Sequence, residues 1–332
     1  MKLLVSHSTD IHNIFHIFAR EIHAIWELAR AIESEAGTDA EIGIVLTHYE
    51  DIPSNRWRRD LLKSTFRNVW VHHYSPAGSG FGVGGGAGPV VKVERRHILR
   101  YSQSPAWMVD PWTFRAYEPV PALIETAAKV RQVFARRSEP ASTSATDRAR
   151  VVFVERKQSR VAYDAKTRLP LSGVLEVSLS QYEVRFETVC FDEDVSLEAQ
   201  AGCLSNARIM ISVHGAANTN LFLLPGGASL FEINFRKHWY CDPVCSGHRS
   251  GQIPYVARCD GPLTYRPHFH KADYHNLAQV FGVRYKEFEI LDADRFLDDN
   301  PVNLERIYVD AEYLVSSVVD ELGLSRTQTA EH

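Results

Sequence analysis

Residues 209–233 read IMISVHGAANTNLFLLPGGASLFEI. Residues 209–213 form a nearly unbroken apolar run, which suits a strand buried on both faces. The run stops at His214, and Gly215, Ala216 and Ala217 are small enough for a tight turn. Asn218 or Thr219 can cap the short helix expected over 219–224, and Pro225-Gly226 leads into a second apolar strand, 229–233. Buried strands joined through turns and helices belong to an open α/β layer with a largely parallel sheet. The turn also carries chemistry. Backbone N–H groups at a helix start lack intrahelical partners and sit at the positive end of the dipole, so they can hold an anion. Gly215 and Ala216 leave room for a phosphate at the backbone, and His214 offers it a hydrogen bond. The same residues also read as a tight turn around a satisfied histidine.

Outward from this stretch the same pattern continues. An apolar strand over 151–154 runs into Glu155-Arg156-Lys157-Gln158-Ser159-Arg160, which places two arginines four apart at a strand end. Guanidinium forks match phosphate oxygens and can neutralise a diphosphate leaving group without a metal. A solvated basic turn is the plainer alternative. A helix over 174–179, a strand over 182–188 and a helix over 196–206 fill the interval. A helical turn over 276–281 and a helix over 309–322 follow. The N-terminal half alternates similarly, with strands over 3–6, 40–46, 69–73 and 89–93. Its helices are expected over 14–32, 54–64 and 118–135. Residues 136–148 (RRSEPASTSATDR) are polar and aperiodic. The organisation expected is an α/β domain over 1–135, a linker over 136–149, an α/β domain over 150–308, and a terminal helix and tail over 309–332. Two such layers place a ligand cleft outside the carboxyl ends of their strands.

Together these stretches resemble glycosyltransferase family 61, which includes protein O-GlcNAc transferases and plant xylan xylosyl- and arabinosyltransferases. That family carries Arg-x-x-x-Arg after a strand, then an acidic, Gln-containing helix entry, His-Gly-Ala-x-x-Thr-Asn, a Pro-Gly turn and an apolar strand ending in Glu. The matching residues here are Arg156 and Arg160, residues 191–200 (FDEDVSLEAQ), the block from His214 to Asn220, Pro225-Gly226 and Glu232. Ala217-Asn218 stands where the family has Gly-Leu or Gly-Met. Asn13-Ile14-Phe15-His16 resembles the family's Asn-x-x-His element, but the Asp expected four residues after the histidine is Arg20, with Glu21 beside it.

The resemblance implies the GT-B fold, two Rossmann-like domains facing a cleft. It implies inverting, metal-independent transfer of a sugar from a nucleotide donor, UDP being the expected nucleotide, to a hydroxyl of a glycan or protein. No cofactor is expected. The C-terminal domain would hold the donor through Arg156, Arg160, His214, Gly215, Ala216, Asn218, Thr219, Asn220 and Glu232. Glu232 would either accept from ribose hydroxyls or brace the loop. The acceptor hydroxyl must lose a proton as it attacks. His16, Asp10 and Glu21, in that order, are the candidate bases on the N-terminal side.

Other features set bounds. With 37 basic and 41 acidic residues the net charge is -4, which excludes a nucleic-acid footprint spread over the whole surface. No apolar run approaches the ~20 residues of a membrane span. The opening Met1-Lys2-Leu3-Leu4-Val5 is too short for a signal-peptide core. Membrane association is expected only through a segment not present here. The compartment stays open, the Golgi or endoplasmic reticulum lumen for a eukaryotic fragment and the cytoplasm otherwise. Gly80-x-Gly82-x-x-Gly85 mimics a dinucleotide fingerprint but leads into a strand-like Pro89-Val90-Val91, so it reads as a loop able to act as a lid. A nicotinamide-dependent oxidoreductase has only this support. His238, Cys241, Cys245 and His248 are zinc-ligand types at a spacing of no common finger. Five cysteines, an odd number, argue against a complete disulfide framework. The competing class is a non-catalytic nucleotide-sugar or carbohydrate-binding module, which would keep His214 and the arginines without a base.

Overall fold

The computed structural model describes residues 2–7, 14, 17–36, 42–47, 53–66, 69–74, 98–100, 121–135, 148–191, 195–234, 269–293 and 304–324. The fold is mixed α/β, and the chain divides into two compact units. The first takes residues 1–108, 118–139 and 193–202; the second takes the rest. The excursion of 193–202 into the first unit has no counterpart in the sequence reading.

In the first unit β1 (Lys2–His7), β2 (Ile42–Thr47), β3 (Val69–Tyr74) and β4 (Ile98–Arg100) form an all-parallel sheet in the order β3-β2-β1-β4. The strand expected at 89–93 lies outside the described residues; β4 runs further along the chain. The helix expected over 14–32 is a π-helical turn, Ile17–Ile22, continued by α1 (His23–Ala36). Phe18, Ile22, Ile25, Ala29 and Ile32 recur at three- and four-residue spacing and are 0–2% exposed. They share a core with Trp57, Leu61 and Leu62 of α2 (Pro53–Thr65) and Leu123, Ala127 and Val130 of α3 (Pro121–Ala135). Phe18 meets Trp57 edge-on at 6.4 Å.

The second unit is built on β5 (Ala149–Glu155), β7 (Val184–Cys190), β8 (Ile209–Val213), β9 (Ser229–Asn234) and β10 (Arg284–Glu289). These strands are all parallel, in the order β10-β9-β8-β5-β7. A small sheet of β6 (Val161–Asp164), β11 (Asp292–Ala293) and β12 (Arg306–Val309) stands apart from it. Side chains alternate across the large sheet. Val151, Phe153, Ile209, Ile211, Val213, Phe231, Ile233 and Phe288 form one core with Leu171, Leu175 and Leu179 of α4 (Leu171–Leu179) and Leu314 and Val318 of α7 (Ala311–Leu322). Burying each such side chain contributes roughly 1.5–3 kcal/mol. The alternate positions include Ser212 of β8 and Glu232 of β9, which are register partners. A 3₁₀ helix, Ala216–Leu223, packs with α6 (Phe269–Phe281), where Phe222 lies 6.3 Å from Phe281. The short α5 (Leu197–Leu204) precedes β8.

The terminal helix begins later than expected because Val309 is still a strand residue. Asp310 caps it by accepting from the Tyr313 amide at 2.9 Å, and Gly323 ends it in the left-handed conformation at φ 62. Its buried face belongs to the second unit's core.

Strand order locates where a ligand can enter. In an open parallel sheet, two strands whose connections leave in opposite directions open a crevice at their carboxyl ends. In the second unit that point lies between β5 and β8, because β7 continues to one side of β5 and β8 to the other. Those two strands end at Glu155 and Val213. In the first unit the equivalent point lies between β1 and β4, which end at His7 and Arg100.

Candidate functional site

Arg156 through Arg160 follow β5, and His214 with Gly215 follow β8, so both stretches leave the sheet at the second unit's switch point. The side chains converge there. A Cβ built on Gly215 would lie 2.5 Å from Arg156 Nη1 and 3.4 Å from both Arg160 Nη1 and Nη2. Two guanidiniums therefore flank one glycine. Gly215 has φ 157 and ψ 178, a region open essentially to glycine alone. Its lack of a side chain is what lets the arginines approach the turn.

Arg160 is 8% exposed and is held firmly. Its Nη1 donates to the His214 carbonyl at 2.5 Å, and its backbone N–H donates to the Leu304 carbonyl at 2.5 Å. Its φ of 55 is left-handed, which costs a non-glycine residue about 1–3 kcal/mol and is found where a site over-determines the backbone. Arg156 bonds within its own turn. Its Nε donates to the Ser159 carbonyl at 3.2 Å and its Nη2 to Ser159 Oγ at 3.4 Å.

Behind the turn lies a buried polar network. Glu232 is fully buried, and its Oε1 lies 2.7 Å from His214 Nδ1 and accepts from Asn218 Nδ2 at 2.8 Å. Its Oε2 accepts from the Tyr285 hydroxyl at 2.5 Å. Ser212 Oγ donates to Asn218 Oδ1, which fixes that amide with its nitrogen toward Glu232. The His214 ring meets Tyr274 of α6 edge-on at 5.4 Å, and Tyr285 lies 5.1 Å from the His275 ring. The sheet explains the assembly. Ser212 and Glu232 pair in register on neighbouring strands, and Tyr285 lies one diagonal step away on β10.

This network corrects one expectation and chooses between two alternatives left open for Glu232. The helix after the turn starts at Ala216, so Asn218 lies inside it and braces Glu232 instead of capping a helix end. Glu232 has both oxygens engaged by protein donors at zero exposure, so it braces the loop and is closed to ribose hydroxyls. Ala216 is half-buried and directly follows Gly215. Thr219 and Asn220 are fully buried, and among the described residues the Thr219 hydroxyl and both Asn220 amide atoms meet no hydrogen-bond partner. Neither is presented to solvent.

Of the candidate bases, Asp10 and His16 lie outside the described residues. Glu21 is 1% exposed in the π-helical turn and accepts from Arg58 of α2, itself fully buried. A carboxylate paired with a guanidinium out of water serves the core of that unit and is not presented to an acceptor hydroxyl. The glycine-rich run and the His238, Cys241, Cys245 and His248 set also lie outside the described residues. Among the described residues no cluster of three or more His, Cys, Asp or Glu is arranged to hold a metal, Cys203 is a free thiol, and no helix is long and apolar enough to cross a membrane.

Sequence reasoning missed Ser212, Tyr274 and Tyr285. Ser212 had a signal, a lone hydroxyl inside a buried apolar strand. Tyr285 had almost none, because β10 (RYKEFE) is an edge strand whose charged residues hide its alternation. No known protein family and no curated protein matches the chain.

Proposed function

We propose that this protein is an inverting, metal-independent glycosyltransferase that moves a sugar from a nucleotide donor, with UDP as the nucleotide, to a hydroxyl of a glycan or protein. The observation that carries the reading is the convergence of Arg156 and Arg160 on Gly215 at the switch point of a parallel sheet. Two planar cations beside a side-chain-free turn suit a diphosphate. In the proposed complex Arg160, already anchored on the His214 carbonyl, forms the fixed half of the clamp. Arg156, beside it on the same glycine, forms the other half. The guanidiniums stabilise the charge that develops as the glycosidic bond to phosphate breaks. The GT-B arrangement of two Rossmann-like halves around a cleft, with the acceptor on the N-terminal side, belongs to the same proposal.

A thermal-shift panel of UDP, UDP-GlcNAc, UDP-xylose and GDP-sugars tests it. A ligand at 100 times its dissociation constant adds about 2.7 kcal/mol of stability. UDP compounds should raise the melting temperature and Arg160→Ala should abolish the rise; no shift with any nucleotide removes the proposal. A second reading, a non-catalytic nucleotide-sugar-binding module, draws on Glu21, which is paired with Arg58. Slow donor hydrolysis or sugar transfer by the purified protein separates the two.

A further inference from the structure

The two outer strands of the second unit's sheet carry different charge patterns. An outer strand presents a row of backbone groups to which another chain can pair. Among the described residues no strand lies beyond β7 or β10. Such a strand can pair antiparallel with its own copy about a two-fold axis normal to the sheet, and the axis then passes through one of its residues. Residues equally spaced on either side of that residue come to face each other on one face of the sheet. β10 (RYKEFE) opposes every such pairing. An axis at Arg284, Lys286, Glu287 or Glu289 sets that charge against itself. An axis at Tyr285 sets Arg284 against Lys286, and one at Phe288 sets Glu287 against Glu289. Like charges directly opposite are destabilising.

β7 (VRFETVC) is built differently. It contains neither Gly nor Pro, and all seven residues pair with β5 in unbroken register, so no bulge turns this edge away. Arg185 and Glu187 stand two apart and share a face. An axis at either of them sets like charges together. An axis at Phe186 sets Arg185 of each copy opposite Glu187 of the other. We infer that the β7 edge is an interface between two copies of this chain, paired antiparallel about Phe186. The inference draws on no residue of the donor site.

The side chains around the edge fit this register. Within one copy Glu187 pairs with Arg150 of β5 and with Arg185, whose Nε lies 2.5 Å away. The pair of copies adds the partner's Arg185 directly opposite Glu187. Arg185 has a side chain 68% exposed, so it has room to reach across the edge. On the other face of the sheet Phe186 is partly buried against the core and meets its own copy at the axis, an aromatic cross-strand pair. Val184 faces the partner's Thr188. Two five-stranded sheets then become one continuous sheet. Antiparallel pairing points their carboxyl ends in opposite directions, so the two switch points open at opposite ends of the joined sheet.

Sedimentation of the intact protein over a dilution series tests the interface. The wild type should show a monomer–dimer equilibrium. Arg185→Glu sets glutamate against glutamate at both charged pairs, and Glu187→Arg sets arginine against arginine. Each variant alone should therefore dimerise about tenfold or more weakly than wild type. When the two variants are mixed, every glutamate of the first meets an arginine of the second, and a heterodimer about as tight as the wild-type dimer should form. Circular dichroism checks that each variant is folded. Should Glu187→Arg fail to fold, hydrogen exchange of the wild type carries the test, and amides of residues 184–190 should gain protection as concentration rises. A wild type still monomeric at about 100 µM overturns the inference. So does a dimer that either reversal leaves unchanged, a mixture of folded variants that stays monomeric, or concentration-dependent protection that lies outside β7.

Discussion

Replacing Gly215 by alanine separates the two jobs this glycine performs. The first is conformational. At φ 157 and ψ 178 an alanine costs about 1–3 kcal/mol. For a unit of this size that lowers the melting temperature by about 2–12 °C. The second is steric. The new Cβ would lie 2.5 Å from Arg156 Nη1, so the guanidinium must move off the turn. Arg160 stays, because 3.4 Å is a tolerable contact and its bond to the His214 carbonyl holds it. Losing one charge-assisted partner of a phosphate costs about 1.5–3 kcal/mol, or roughly a tenfold to hundredfold loss of UDP affinity. Arg156→Ala alone should show that affinity loss with little change in melting temperature. The double variant should melt like Gly215→Ala and bind like Arg156→Ala, because both substitutions remove the same guanidinium. Calorimetry for affinity and scanning fluorimetry for stability measure the two columns of this cycle. Additive affinity losses, or UDP affinity unchanged in Gly215→Ala, would refute the claim that the glycine exists to admit Arg156.

Arg160→Ala removes the anchored cation and should lower sugar transfer by about 100-fold or more in a steady-state assay; EDTA should leave wild-type transfer unchanged. Arg58→Ala removes a buried ion-pair partner of Glu21, and should cost about 3–5 kcal/mol in a urea melt. Loss of transfer in a stably folded Glu21→Gln protein would instead make Glu21 the acceptor-side base. Asp164 predicts an acid limit. Burial works against its ionisation, but hydrogen bonds from the Thr167 hydroxyl and amide and from the Ala311 amide outweigh that and hold its carboxyl below the usual value. A carboxyl depressed on folding stabilises the protein above its unfolded value and loses that contribution as pH falls through the folded one. Asp164→Asn should therefore be less stable than wild type at neutral pH, and the gap should close below about pH 4.

The sequence by itself determined most of the second unit's framework. Its buried strands at 151–154, 209–213 and 229–233 are apolar runs bounded by turn residues, and local chemistry suffices to place them. It also singled out Arg156, Arg160, His214 and Gly215, because cations at a strand end and small residues after a strand are legible one segment at a time. It could not read β10, whose charged edge position masks its period, nor the start of α7, which β12 delays by continuing through Val309. The tertiary structure alone decided what the polar residues do. Strand order β10-β9-β8-β5-β7 brings Glu155 and Val213 to one switch point and so sets Arg156 and Arg160 around Gly215, 55 and more residues away in the chain. Register sets Ser212 beside Glu232, and the pleat turns Glu232 toward His214, Asn218 and Tyr285. A glutamate at the end of an apolar strand carries no local sign of whether it faces a ribose or a histidine. That choice is made by strand pairing, whose partners are distant in sequence and whose period of two residues fixes the face on which each side chain stands.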